Sequence, residues 1–562
     1  MTSAYLDATH DKTRKARRRR ARQPAGLRTA ALIQTLAALL WIPQAGLLSI
    51  AVGRIADGGG LDAAIWPAVA IALLGVAKSC LDAAGGRLAF RAARVELTKR
   101  RVRAVEALAR RSPVDSTRHT SGEAASIVGE QAELIVPYLA RFQPGRFKAS
   151  AVPLFILACV FPISWIAALV LLFTMPLVPV FMALIGWRAQ AASERQLQAT
   201  GGLNGFLLDR LRGLATIRAL GAVDATATRL RADAEDLKTR TMAVLRIAFL
   251  SSAVLELFAA LGVAMLAVYV GFSLLGQIRF GAWASGLDLT SGLFVLLLAP
   301  AFFEPLRELS AVWHDRASGE AAMKALDALS EDGMPLPQAE PAPGTLGADI
   351  LFHAVGFRYP GSDISAVENF DLHIRAGEHV ALLGPSGSGK STLLALAAGL
   401  APCETGQIEI GGQPAGQASR SRIAWIGQKP HIFAGSITRN VSLGRPHVSA
   451  QQAAAALDAA HLGNLASAYR NRPLGDGGAG LSGGEALRLA IARAAADPRA
   501  LIVLADEPTA HLDIATADDI TESLLILAKG RTLLVATHDP RLAARMGRTI
   551  HINPEPAREA AE

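Results

Sequence analysis

Along the first 305 residues, uncharged apolar runs alternate with stretches dense in Arg, Lys, Asp and Glu, and no run of comparable length follows. Thr29–Gly53 holds 25 residues without a charge, enough for the ~20 that cross a hydrocarbon layer ~30 Å thick. The pattern predicts a first membrane span there. A second starts near Ala63, with Trp66 and Pro67 at an interfacial entry, and runs past Lys78. Ala149–Trp187 is 39 uncharged residues, which as one helix would rise ~58 Å, about twice the hydrocarbon thickness. It must therefore turn. Phe161, Pro162, Ile163 and Ser164 supply the turn, giving a third span over about 137–160 and a fourth over about 165–187. The fifth covers about 247–275 with one acid, Glu256, and the sixth about 287–307. Links after spans one, three and five are short, whereas 78–148 and 188–246 are long and basic, which predicts that both long loops are cytoplasmic.

Beyond the sixth span the pattern changes. Glu331–Gly347 contains Pro335, Pro337, Pro341 and Pro343, which resist helix and sheet and predict an extended linker. After it, the near-continuous apolar runs Val380–Leu383, Ile423–Ile426, Leu501–Ala505 and Leu533–Thr537 alternate with helical stretches. That alternation predicts a buried, mostly parallel sheet in an α/β domain.

Composition agrees with a membrane protein of several domains: 562 residues, 51% hydrophobic and a mean hydropathy of +0.30. One small domain and a disordered polyelectrolyte are both excluded. The formal charge is +9, and Lys12, Arg14, Lys15, Arg17, Arg18, Arg19, Arg20 and Arg22 crowd ahead of span one. By the positive-inside rule this arm marks a cytoplasmic N-terminus, and it also suits anionic lipid or nucleic acid. Six membrane spans weigh against a nucleic-acid partner. Cys80, Cys159 and Cys403 follow no paired or metal-binding spacing.

The candidate chemistry lies in the soluble half. After the strand HVALL comes Gly384-Pro385-Ser386-Gly387-Ser388-Gly389-Lys390-Ser391-Thr392, which fits G-x-x-x-x-G-K-[ST] and leads into a helix. Such a P-loop wraps backbone N–H groups around phosphate oxygens, with Lys390 on the β/γ-phosphates and Ser391 on Mg²⁺. Asp506 and Glu507 end another strand, where one carboxylate suits Mg²⁺ and the other the attacking water. An acidic pair by itself also serves as a strand cap. Ser482, Gly483 and Gly484 open the helix ALRLAIARAAA and offer a second anion site, or a plain helix start. The fold class expected is an all-α six-helix transmembrane domain followed by an α/β P-loop nucleotide-binding domain. The boundaries expected are a basic arm over 1–27, the transmembrane domain over 28–325, a linker over 326–347 and the ATPase domain over 348–562.

LSGG at 481–484, the P-loop and the strand ending in Asp-Glu together resemble the ATP-binding cassette (ABC) family, whose signature more commonly reads LSGGQ; here Glu485 stands in the Gln position. The resemblance implies an ATPase using ATP and Mg²⁺. Tyr359 is similar to the aromatic that stacks on adenine, and Gln428 to the glutamine that touches Mg²⁺ or water. Asp513 resembles the D-loop acid, and His538 the switch histidine at the γ-phosphate. Catalysis falls to Glu507 and His538, and Mg²⁺ to Ser391, Gln428 and Asp506. In the family two cassettes sandwich two ATPs, so a chain with one of each motif pairs with another subunit.

Six spans followed by a cassette resemble a type I exporter half. Residues 130–320, including FLLDRLRGLATIRALG and LLLAPAFFEPLREL, resemble CydD-type subunits of cysteine/glutathione exporters. That resemblance implies a heterodimer with a CydC-like half-transporter in the bacterial inner membrane. It implies export of small thiols to the periplasm in support of cytochrome assembly, with haem as a ligand. Export of a lipid, peptide or drug, and a sensor that gates without transporting, are the other readings. Arg141 and Lys148, at the expected cytoplasmic end of span three, are candidate substrate contacts or topology signals. Glu256, deep in span five, is a candidate for pairing or a substrate role. The segment 206–222 is expected to carry the nucleotide cycle to the spans.

Overall fold

The computed structural model describes residues 25–60, 62–176, 210, 213–278, 280–283, 286–331, 333–337, 347–416, 420–463, 467, 473–475 and 480–552. The basic arm, the second half of span four, most of the proline-rich linker and residues 206–209, 211 and 212 of the expected coupling segment lie outside them. Two units divide the chain: Met1–Val105 with Ser121–Ser330, and Glu106–Thr120 with Glu331–Glu562.

In the first unit, span one is two helices, α1 (Ala25–Leu39) and α2 (Trp41–Ala56), broken at Leu40. Pro43 explains the break, because it has no N–H to donate to the Leu39 carbonyl. Helix α3 (Asp62–Arg110) carries span two onward for 49 residues, about 74 Å. A short helix α4 (Ser121–Gly129) and a π turn over Tyr138–Phe142 precede α5 (Gln143–Val160), which covers the expected span three. The expected turn follows, and Ser164 caps α6 (Trp165–Thr174), the described part of span four. Ser164 is fully buried; its hydroxyl accepts from Ala167 N at 3.2 Å, lies 3.0 Å from the Tyr269 hydroxyl and donates to Gly281 O at 2.7 Å. One side chain thus ties the turn to the next hairpin. Helix α7 (Leu214–Ala219) leads to α8 (Val223–Leu274), which includes span five, and α9 (Leu289–Ala311) is span six, followed by α10 (Trp313–Ala328).

Span six is central. Its Leu298, Phe302 and Phe303 are buried against Ala45, Val152, Ile156 and Leu266 of three other spans. By contrast α3 turns Trp66, Leu73 and Val76 outward. Four described helices are long and apolar enough to cross a membrane: Gly26–Ala56, Asp62–Arg110, Glu256–Leu274 and Leu289–Ala328. Parts of both long basic segments expected as loops are helical continuations of spans, over 78–110 and 223–246. Arg, Leu, Ala and Glu are strong helix formers, so a change from apolar to charged ends the membrane span without ending the helix.

The second unit has two sheets. The antiparallel sheet runs β2 (Ser365–Ile374), β1 (Ile350–Arg358), β4 (Thr405–Ile410), β5 (Gln413–Pro414). The parallel sheet runs β6 (Ile423–Ile426), β7 (Ile502–Asp506), β8 (Thr532–Thr537), β3 (His379–Leu383), β9 (Arg548–His551). The four apolar runs read from sequence are β3, β6, β7 and β8, and β8 is buried along its whole length. Among the described residues the unit also has helices α11 (Lys390–Ala397), α12 (Ile437–Ser442), α13 (Ala450–Ala459), α14 (Gly483–Ala495), α15 (Ile514–Leu527) and α16 (Pro540–Ala544).

Candidate nucleotide site and transport residues

Parallel pairing brings the carboxyl ends of β6, β7, β8 and β3 side by side, since Asp506 is in register with Ala536 and Leu383 with Thr537. The segments that leave these ends carry Gln428, Asp506 with Glu507, His538 and the P-loop. Residues more than 150 positions apart in the chain therefore meet along one sheet edge, where α/β folds hold their ligands.

In the P-loop, Gly387 and Gly389 have φ of +84° and +87°, and a Cβ on Gly389 would come within 2.5 Å of Ala366 O. Only glycine takes that conformation at so close an approach. Lys390 is 4% exposed; its Nζ donates to Gly384 O at 2.9 Å and Pro385 O at 2.6 Å, and lies 3.4 Å from Ser388 Oγ. The ammonium thus sits inside the curl formed by Gly384 to Gly389, with Ser386 and Gly387 at its crest. Thr392 Oγ1 lies 2.9 Å from the hydroxyl of Tyr359, whose ring also meets Phe357 edge-on.

Ser391 Oγ donates to Asp506 Oδ1 at 2.8 Å, two oxygens placed together as a hard divalent cation needs them. Burial raises the Asp506 pKa, and the charge of Glu507 adds to it, against the Ser391 hydrogen bond and the Lys390 charge. A bound cation would supply the missing positive charge. Glu507 itself stands at φ +46°, held by its N–H on Ala536 O at 2.8 Å, and its Oε2 lies 3.2 Å from His538 Nδ1. Gln428 is exposed two residues past β6. The loop after it is braced by residues that no sequence motif marks: Arg493 donates to His431 O and to Asn440 O, and Asn440 donates to Phe433 O, all within 2.6–2.8 Å. An Asn four residues after Ser436, at the start of a short helix that follows the strand, was the available signal.

Ser482 caps α14, accepting from Glu485 N at 3.3 Å and donating to Glu485 Oε2 at 2.8 Å; Ser482 N also donates to that oxygen at 2.7 Å. Gly484 packs so closely on α15 that a Cβ would meet Thr516 at 2.9 Å. Asp513 caps α15 through Thr516, and those bonds lower its pKa.

Residues 29–296 match the ABC transporter transmembrane region, and residues 367–510 match the ABC transporter family. The chain is 39% identical to the glutathione/L-cysteine transport system ATP-binding/permease protein CydD of Escherichia coli, over 74% of this chain and 72% of that protein. It belongs to the CydD-like ABC exporters. Similarity extends to the transport ATP-binding protein AarD of Providencia stuartii, at 34% identity over 91% of this chain and 88% of that one. The CydC protein of the glutathione/L-cysteine system of Bacillus subtilis is 30% identical over 90% and 88%. A bacterial Atm1-family ABC exporter solved with ATP bound shares the fold, with a TM-score of 0.70, 21% identity and 94% of each chain covered. The exporter is thus a membrane-spanning ATPase coupled to transport.

In its transmembrane unit each charged residue singled out from sequence has an ion-pair partner. Arg141, 64% exposed, lies 3.6 Å from Asp315; Lys148 Nζ is 2.6 Å from Glu308 Oε2; Glu256 is 3.4 Å from Arg307. Arg141 sits in the π turn, so the 3.6-residue spacing that would align it with Lys148 does not hold there. The cavity beside Lys148 is lined by no His, Met, Cys or Tyr among the described residues. It therefore lacks the usual axial ligands of haem, and no step is assigned to that group.

Proposed function

We propose that this chain is one half of an ATP-driven exporter of small thiols, cysteine and glutathione, from the bacterial cytoplasm to the periplasm, in support of cytochrome assembly. Its partner is a CydC-like half-transporter, and its N-terminus and ATPase unit face the cytoplasm. The observation that carries the substrate is the 39% identity to a CydD protein named for glutathione and L-cysteine transport, over 431 residues. The boundaries 1–27, 28–325, 326–347 and 348–562 belong to the same reading.

In the ATPase cycle, the amides of Ser386 to Ser391 and Lys390 hold the β- and γ-phosphates, the lysine exchanging its two carbonyl partners for phosphate oxygens. Tyr359 stacks on the adenine. Ser391 and Asp506, with Gln428, would hold Mg²⁺, which when bound would neutralise charge on the phosphates. Glu507 orients the water and takes its proton, and His538, 3.2 Å from that carboxylate, contacts the γ-phosphate. Ser482, Gly483 and Gly484 complete the partner's site, as the partner completes this one.

The test is ATP-driven uptake of radiolabelled cysteine and glutathione into inverted vesicles, with and without the co-expressed partner. Uptake of both or either is expected only with the partner and ATP. A complex that moves a lipid, peptide or drug but no thiol overturns the reading.

A further inference from the structure

Helices α1, α2, α3, α5 and α9 of the transmembrane unit line an open cavity of about 550 Å³, within the ~300–1,000 Å³ range of small-molecule sites. Ala37, Val152 and Leu297 give it apolar walls, and five ionisable side chains face it: Lys78, Asp82, Lys148, Glu304 and Glu308. Two of the five are neutralised as a pair, since Lys148 and Glu308 are 2.6 Å apart. Glu304 leans to Arg307 at 3.8 Å. Lys78 and Asp82 are left. The Lys78 ammonium lies 5.4 Å over the ring of Trp41, which is anchored by its own N–H on Leu297 O at 3.2 Å. Asp82, one turn further along the same face of α3, has no ion pair or hydrogen bond among the described residues.

An unpaired acid and a base one turn apart in a membrane helix are costly to keep. Together they form a fixed dipole, with the cation over an aromatic face and the anion one turn away. We propose that this cavity binds the α-amino-acid head of the transported molecule, its carboxylate on Lys78 and its α-ammonium on Asp82, with the remainder lying on the apolar walls. The inference rests on the thiol reading and deepens it. Cysteine carries such a head, and the γ-glutamyl end of glutathione carries the same one free. A site that reads the head and not the thiol takes both.

The experiment measures uptake of cysteine and glutathione by the complex with its CydC-like partner, in competition with cysteamine, which lacks the carboxylate, and N-acetylcysteine, which lacks the ammonium. Each analogue is expected to compete about tenfold or more weakly than cysteine, the cost of losing one charge-assisted contact. Lys78→Gln should raise the KM for both thiols and erase the discrimination against cysteamine alone; Asp82→Asn should erase that against N-acetylcysteine alone. Lys78→Arg should rescue uptake. Analogues that compete as well as cysteine on the wild-type complex overturn the cavity assignment without any variant. Variants that lose cysteine and both analogues in equal proportion overturn it too, and leave thiol export standing. A wild-type complex that ignores both thiols but is stimulated by serine, which carries the same head without a thiol, in a Lys78-dependent way supports the cavity and overturns the thiol reading; one that ignores every α-amino acid overturns both.

Discussion

Glu507 occupies the left-handed region of backbone space at φ +46°, an uncommon place for a non-glycine residue, and it is the residue most exposed to a simple test. Glu507→Gln keeps the shape and the phosphate cradle and removes the base. ATP binding should persist while turnover falls by about 100-fold or more, read by nucleotide-binding and ATPase assays on the assembled complex. Glu485 is a second case. Its carboxylate accepts from Ser482 Oγ and N, placing a negative charge at an anion-binding helix start. Glu485→Gln removes the charge and should lower the KM for ATP, whereas an unchanged KM would show that the signature serine works equally well beside either side chain. For Asp506 the sign follows from its raised pKa. The folded protein holds this proton more tightly than the unfolded chain, so stability falls as pH rises through the folded pKa. Asp506→Asn should therefore raise the melting temperature without nucleotide at pH 7, with the gain shrinking toward pH 4.

Among elements, the segment after α3 is bound into the second unit by the strand-like stretch around Pro335: Ser112 N donates to Met334 O at 3.0 Å, and Leu336 N to Arg110 O at 2.7 Å. Its centre is Asp115, a fully buried carboxylate that pairs with Arg111 at 2.7 Å and accepts from Thr117 and from Met334 N. Burial works against ionisation, but those bonds outweigh it and hold the carboxyl well below the usual range. Asp115→Ala should cost about 3 kcal/mol, because it strands a guanidinium and three further donors, and thermal unfolding would read it. The depressed pKa means that this stabilisation is present above the ordinary aspartate pKa and is lost as pH falls below it. Nothing local in Arg111–Pro113 foretold the partnership, since Met334 lies 219 residues from Asp115. The P-loop, the signature and the Asp-Glu strand end were legible for the opposite reason: each is a contiguous string whose chemistry needs only its own backbone.

At the scale of the whole molecule, the proposed pairing of this chain's P-loop with the partner's signature makes the ATPase a property of two subunits. The purified chain alone is expected to hydrolyse ATP near background, and co-purification with a CydC-like partner to restore turnover. Full activity of the chain alone, with a single subunit in the particle by mass, would contradict that arrangement.

Sequence by itself determined that the chain carries helices long and apolar enough to cross a membrane, where it turns at Phe161–Ser164, and which string curls as a P-loop, because these depend on length, solvation and backbone shape within a few residues. Only the tertiary structure decided the rest. Lys148 met Glu308 and Glu256 met Arg307 across helices, Arg141 was rotated by a π turn, and Lys78 and Asp82 were left facing a cavity. A charge in a membrane helix announces a cost, but which partner offsets it is set by the packing of other helices, and that information is spread over the whole unit.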